Sequence, residues 1–242
     1  MNDLTVPSST ALSSAEARIA ALASKLKANV QTTTPMITST RTGKLKLPND
    51  EQVESVDVVL LDFVYRNQYY PKPYSEGQQN DLVCQAIGEG SNDLLVPLDN
   101  VMEKQAERCG SCPKNQFGSH PSGSRGKACN NQLLLAVTPP DYDPDEPLIW
   151  LVKAQPTALK QMGGYMLKMT DMYGHPIKAI TSLSLDPNSN YPSLRAQFSA
   201  LNPLWEQHIE LMDQAHRALY AGTPVQTEAV DTTVHVPATF ED

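Results

Sequence analysis

Apolar residues run continuously through the middle of the chain and fall at helical spacing toward its ends. Val56 to Tyr65 reads VDVVLLDFVY, a β-branched and aromatic run that predicts a strand. Leu82 to Ile87, Gln132 to Val137 and Leu148 to Lys153 predict three more. Pro139-Pro140-Asp141 ends the third run. The period then changes. Leu159, Met162, Met166 and Met169 recur on one face, which predicts a helix from about Thr157 to Met172. Pro156 suits its first turn and Gly174 its C-cap. Gly163-Gly164 costs that helix about 1 kcal/mol per residue relative to Ala, so the pair reads as a place of close packing on the sheet. Ile177 to Leu185 and Leu194 to Leu201 predict two further strands. Leu204 to Tyr220 reads as a terminal helix that buries Trp205, Ile209, Met212 and Leu219, with Gly222 after it.

Upstream, Ser13-Ser14-Ala15-Glu16 is a capping box, and Ile19, Leu22, Leu26 and Val30 follow at helical spacing. Residues 1–12 read as disordered and the Thr-rich run 31–43 as a linker, so the folded body is expected to begin near Val53. Tyr69 to Tyr74 reads as a turn rich in tyrosine. The expected organisation is a helix and linker over 1–50, a body over 51–202 with an insertion over about 97–130, and a helix with an acidic tail over 203–242. The fold class expected is mainly β with α. An OB-fold is a five-stranded Greek-key barrel with a helix between its third and fourth strands, and the order of elements here fits it. Other small α+β sheets fit the same string.

The insertion changes the picture. Three of the four cysteines lie in or beside it, Cys109, Cys112 and Cys129, and Cys84 lies upstream, giving C-x24-C-x2-C-x16-C. The loop from Lys114 to Lys127 is rich in Gly, Ser and Pro and cannot order itself by burying a core. A C-x2-C pair on a tight turn presents two thiolates to one ion, and two more complete a tetrahedron. Metal binding then becomes folding free energy. Structural zinc held by Cys84, Cys109, Cys112 and Cys129 is the expectation. His120 is an alternative ligand, an iron–sulfur cluster an alternative cofactor, and buried thiols or two disulfides the readings without metal.

Charge adds an asymmetry to the net −8 of the 242 residues. Arg18, Lys25, Lys27, Arg41, Lys44 and Lys46 stand together without an acid among them. After Pro203, seven acids, from Glu206 to Asp242, face Arg217 alone. A basic surface and an acidic tail can coexist on such a chain. The N-terminus lacks a charged segment followed by an apolar run, and no stretch approaches a membrane span in length. A cytoplasmic setting is the expectation, and there clustered cysteines favour metal over disulfides.

No enzyme constellation emerges. Gly-x-Gly-x-x-Gly and Walker loops are missing. His208 and His216 are too far apart on one helix to share a ligand shell. Asp57 and Asp62, at odd spacing in a strand, are expected on opposite faces. Single-strand binding, by contrast, needs cations interleaved with rings that stack on bases. Tyr65-Arg66, Tyr69-Tyr70 and Lys72-Pro73-Tyr74 supply that pattern, as do Lys114, Phe117, Arg125 and Lys127 in the cysteine loop. Core or rim packing for the rings and a solvated face for the lysines is the plainer alternative. Trp150 and Lys153 are expected on opposite faces of their strand.

The run Cys109-x-x-Cys112-Pro-x-Asn-x-Phe-Gly-Ser, closed by Gly-Lys-Ala-Cys129, resembles a motif of a family of phage-encoded single-stranded-DNA-binding proteins with OB-like folds and an inserted zinc module. Gly174-His175-Pro176-Ile177 and Thr181 to Leu185 resemble the strand after the helix in that family. The resemblance spans about residues 80–200. It implies a non-enzymatic protein that coats single-stranded DNA in phage replication or recombination, in the host cytoplasm. The acidic tail is similar to those through which such proteins meet replication or recombination partners. The alternative expectation is a zinc-stabilised protein–protein interaction factor without nucleic-acid binding.

Overall fold

The computed structural model describes residues 18–19, 34–40, 42–72, 81–141, 143, 148–189 and 191–221. The chain divides into two compact units, Met1–Thr33 and Thr34–Asp242. In the first, Arg18 and Ile19 are helical. The capping box at Ser13, Tyr74, Gly222 and the acidic tail of the sequence reading lie outside the described residues.

The second unit is mainly β. Its strands are β1 (Met36–Ser39), β2 (Leu45–Lys46), β3 (Gln52–Val53), β4 (Ser55–Tyr69), β5 (Cys84–Gly88), β6 (Cys129–Thr138), β7 (Trp150–Ala154), β8 (Ala179–Leu185) and β9 (Leu194–Leu201). They form one sheet in the order β3-β2-β1-β7-β6-β4-β8-β9. β4 is its spine. One edge pairs with β6 along its length, and the other pairs with β8 through Ser55–Val59 and with β5 through Tyr65–Tyr69. β1 runs parallel to β7, and the other pairs are antiparallel.

Central strands buried on both faces read as unbroken apolar runs, and this is why VVLLDFV and LLLAV carry no alternation. One face of β4 and β6 offers Val58, Leu60, Leu133, Leu135 and Val137 to a core that also takes Leu45 of β2 and Leu194 and Ala196 of β9. Residues from near both ends of the strand order meet in that core because the sheet curls into a half-barrel. Helix α1 (Leu159–Tyr173) fills the concavity with Met162, Tyr165, Met166 and Met169. Gln161 on α1 fastens the β9 edge. Its Nε2 donates to the Ala196 carbonyl at 2.9 Å and its Oε1 accepts from the Ala196 N–H at 3.3 Å, much as a neighbouring strand would. Gly174 ends α1 at φ 86°, donating to the Thr170 carbonyl. The opposite face of the sheet buries Val59, Leu61, Val64, Leu134 and Ala136 under Leu211, Ala215 and Leu219. The last two residues belong to α3 (Met212–Tyr220).

A bulge at Leu61 shifts the β4·β6 register between Leu60 and Asp62. It resets the alternation, so that Val59, Leu61 and Val64 share a face. Asp62 joins that face, where its Oδ2 meets His216 Nδ1 of α3 at 3.0 Å. Asp57 and Asp62 are therefore on one side of the strand, contrary to simple alternation. About 16 Å of strand still separates them.

Other differences have local causes. The Thr-rich run read as a linker contributes β1, whose Ile37 is buried in the core, so the sheet begins well before Val53. Ile177 and Lys178 form a 3-10 turn, Pro176–Lys178, before β8. The terminal helix is two pieces, α2 (Trp205–Ile209) and α3, divided at Glu210 and Leu211. Bonds of i to i+3 type, Glu210 N to Gln207 O and Leu211 N to His208 O, tighten the chain there. His208 is fully buried, whereas Ile209 is 45% exposed. At Gly163 and Gly164 an added Cβ would meet nothing within 4 Å, so the pair does not serve close packing. Among the described residues, no helix is long and apolar enough to cross a membrane.

Candidate metal centre and nucleic-acid groove

Tyr69, the last residue of β4, is the register partner of Cys84 at the start of β5 and of Cys129 at the start of β6. Cross-strand partners point to the same face. The two cysteines thus rise on one side of the sheet, two strand spacings of about 4.8 Å apart. Cys109 and Cys112 come down on that side from the insertion. Cys109 opens one 3-10 turn (Cys109–Ser111) and Cys112 precedes a second (Pro113–Asn115). Asn115 folds back on this double turn, donating from Nδ2 to the Cys109 carbonyl at 2.9 Å and to Asp93 Oδ1 at 3.1 Å. Gly110 is required there, because an added Cβ would stand 2.7 Å from the Asp93 carbonyl oxygen.

All four cysteines are buried and free. They line a single cavity of about 10 Å³ together with Asn67, Tyr69 and Asn115, and among the described residues no carboxylate borders it. That is about the room of one water molecule. Among the described residues, no three His, Cys, Asp or Glu side chains are disposed, as they stand, to hold a metal ion. A tetrahedral zinc thiolate with bonds of about 2.3 Å needs sulfurs about 3.8 Å apart, so the four must draw inward around an ion. Their chemistry suits one. Burial pushes the Cys129 thiol up to about 12, with Cys109, Cys112 and Cys84 adding to the effect. Burial likewise raises Cys84 and Cys109. A cation among them reverses that balance, since thiolates are the ligating form. The Gln105 backbone beside Cys84 and the Asn67 amide beside Cys109 work against that rise.

Sequence reasoning missed what ties the segment after β5 to β4 and β6 beside the cysteines. Asn67 Nδ2 donates to the Asn92 carbonyl at 2.7 Å, Asn92 Nδ2 returns to Asn67 Oδ1 at 2.7 Å, and Asn131 Nδ2 adds a bond to the same oxygen at 2.6 Å. All three are buried. Buried amides must be satisfied, and these satisfy one another across the join. Asn67 lies inside an apolar strand run, and that was the available signal. His120 is not among the cavity residues; its Nδ1 lies 2.7 Å from Ser122 Oγ.

Beside this module lies an open groove of about 680 Å³. Tyr70 and Lys72 reach it from the end of β4. Phe117, His120 and Lys127 come from the cysteine loop, Asn130 and Asn131 from β6, and Pro156 and Leu159 from the start of α1. Phe117 is 83% exposed, and Lys127 Nζ sits 5.2 Å from its ring centroid. Lys127 also lies 3.7 Å from Asp93. Cys129 borders both the groove and the sulfur cavity.

The nine residues singled out for nucleic acid therefore divide. Tyr70, Lys72, Phe117 and Lys127 share the groove. Tyr69 and Lys114 belong to the sulfur cavity, with Lys114 Nζ 5.4 Å from the Tyr69 ring. Tyr65 packs against the core and against Ala86, Leu95 and Cys109, so it is a structural ring. Arg66, adjacent in sequence, turns to the other face, where its Nη2 donates to Gln132 Oε1 at 2.8 Å. Arg125 is exposed on the loop and does not line the groove. Trp150 packs with the α1 core while Lys153, at odd spacing, takes the other face.

No family model, curated protein or solved structure matches this chain.

Proposed function

We propose that this protein binds single-stranded DNA along the groove between the cysteine module and the sheet, as a non-enzymatic coat in phage replication or recombination. The observation that carries the reading is the groove itself, where Tyr70 and Phe117 offer ring faces and Lys72 and Lys127 offer charge. Stacking together with backbone neutralisation is the chemistry that holds single strands. The strand order supports it. β7-β6-β4-β8-β9, with α1 joining β7 to β8, follows the connectivity of an OB barrel, a fold that presents such surfaces.

Zinc is proposed as a structural ion for Cys84, Cys109, Cys112 and Cys129. It would neutralise the thiolates and cross-link two strand starts to the double turn, fixing one wall of the groove. Four protein sulfurs leave no open position, so no chemistry at the metal is proposed. A second reading, a protein-docking module, draws on Leu94, Val96 and Met102, which are exposed in the segment between Cys84 and Cys109. Oligonucleotide binding separates the two. The first reading requires a labelled oligo-dT to bind at low salt and to weaken as salt rises. Absence of binding at low salt favours the second.

A further inference from the structure

Beyond the groove, on the face of the sheet opposite Tyr65, two cations stand together. Arg66 on β4 is paired in register with Gln132 on β6, and Lys153 on β7 with Leu134 two residues further along β6. Alternation places Arg66, Gln132 and Lys153 on the face that α3 covers only over its apolar half. Their Cα atoms are about 10 Å apart across the strands and about 7 Å along them, within reach of two long side chains converging on one small anion. Each cation depresses its own charge through burial, and Arg66 further opposes the charge of Lys153. Among the described residues, no carboxylate forms an ion pair with either. The Arg66 Nε is buried and has no acceptor. Gln132, 4% exposed, holds the guanidinium by one nitrogen alone. Arg66 is partly buried, and an orphan N–H on it beside a second cation is costly by itself. An oxyanion offers the missing acceptor and the missing charge in one group, and a guanidinium beside an ammonium is a recurrent pair for it.

We infer that Arg66, Gln132 and Lys153 form a phosphate-binding site on the outer face of β4, β6 and β7. Resting on the reading above, this site takes a backbone phosphate of the DNA strand that leaves the groove. Asn130 makes the path continuous, since it lines the groove and lies two residues before Gln132 on the same face of β6. A free or terminal phosphate shares the chemistry, and the experiment separates the sources.

The full chain is melted in inorganic phosphate and in chloride of equal ionic strength, as wild type, Lys153→Met and Arg66→Gln. Phosphate stabilises many proteins by exclusion, so the readout is the wild-type shift less the variant shift. Lys153 is exposed, so its variant keeps the test usable if Arg66→Gln folds poorly. A site predicts that Lys153→Met melts in chloride no lower than wild type and loses phosphate-specific stabilisation. Oligo-dT titrations across salt then assign the source. A salt slope shallower by about 0.7 for Lys153→Met, the share of one phosphate on a single strand, identifies a backbone phosphate. An unchanged slope with lost phosphate stabilisation identifies a free or terminal one. If oligo-dT does not bind but Lys153-dependent stabilisation persists, the site stands and the DNA reading falls. Equal phosphate shifts in wild type and Lys153→Met, with equal salt slopes, overturn the site.

Discussion

Cys84 and Cys129 occupy one rank of the sheet, because each is the register partner of Tyr69. That relationship places two thiols from separate strands under a double turn that supplies the other two. It also puts Tyr69 between them, and its side chain lines the same cavity as the four thiols.

Purified protein is expected to carry about one zinc per chain by elemental analysis. Chelation lowers Tm by on the order of 10 °C, because site energy is folding energy. Cys112→Ser loses both the metal and that stability. Identical melting with and without chelator, in metal-free protein, contradicts the centre.

Gly110→Ala tests the double turn. Its Cβ would meet the Asp93 carbonyl oxygen at 2.7 Å, and backbone there has nowhere to retreat. A loss of about 1–3 kcal/mol is expected in urea unfolding, together with weaker zinc retention. A variant as stable as wild type shows the turn to be looser than described.

Phe117 is the ring whose removal separates binding from folding. With 83% of its surface exposed, Phe117→Ala changes unfolding free energy by no more than about 0.5 kcal/mol. Loss of a stacked base costs about 1–3 kcal/mol of oligonucleotide affinity, roughly 5- to 150-fold. Unchanged affinity removes Phe117 from the interface.

Histidine burial gives the fold a pH dependence. His208 is fully buried, and burial lowers its pKa, while the Leu204 and Pro139 backbone groups oppose that shift. Asn202 Nδ2 donates to the ring at Nδ1 over 3.0 Å, so the neutral ring carries its proton on Nε2. A folded pKa below the unfolded one means the unfolded chain binds more protons as pH falls through about 6.5. Stability is present above that pH and declines below it. His175, also lowered by burial, acts in the same direction. Urea midpoints at pH 7.5 and 5.5 should differ by less in His208→Gln than in wild type. An equal pH dependence in the variant removes His208 as a source.

Much of the sheet was legible because its central strands are buried on both faces. VVLLDFV and LLLAV could hardly be anything else, and the methionine stripe of α1 follows from its spacing. Other features depend on partners the sequence does not display. Met36 and Ile37 make β1 a strand by docking beside β7, although the run around them is mostly threonine and serine. The bulge at Leu61 reverses a face count that alternation gives with confidence elsewhere. Tyr65 and Arg66 look like one interleaved motif, yet a strand sends them to opposite faces. The shared cavity of the cysteines followed from C-x2-C and its flanks. Their distance from ligation geometry and the asparagine network beneath them did not, since both depend on register at the ends of β4, β5 and β6.

The most direct test of single-strand binding is a fluorescence titration of oligo-dT against the intact protein from about 20 mM to 300 mM salt. Neutralisation of phosphates by Lys72, Lys127 and their neighbours predicts tight binding at the low end and a straight decline of log K with log salt, with a slope of about −0.7 for each phosphate contacted. Binding absent at 20 mM, or present with no dependence on salt, contradicts it.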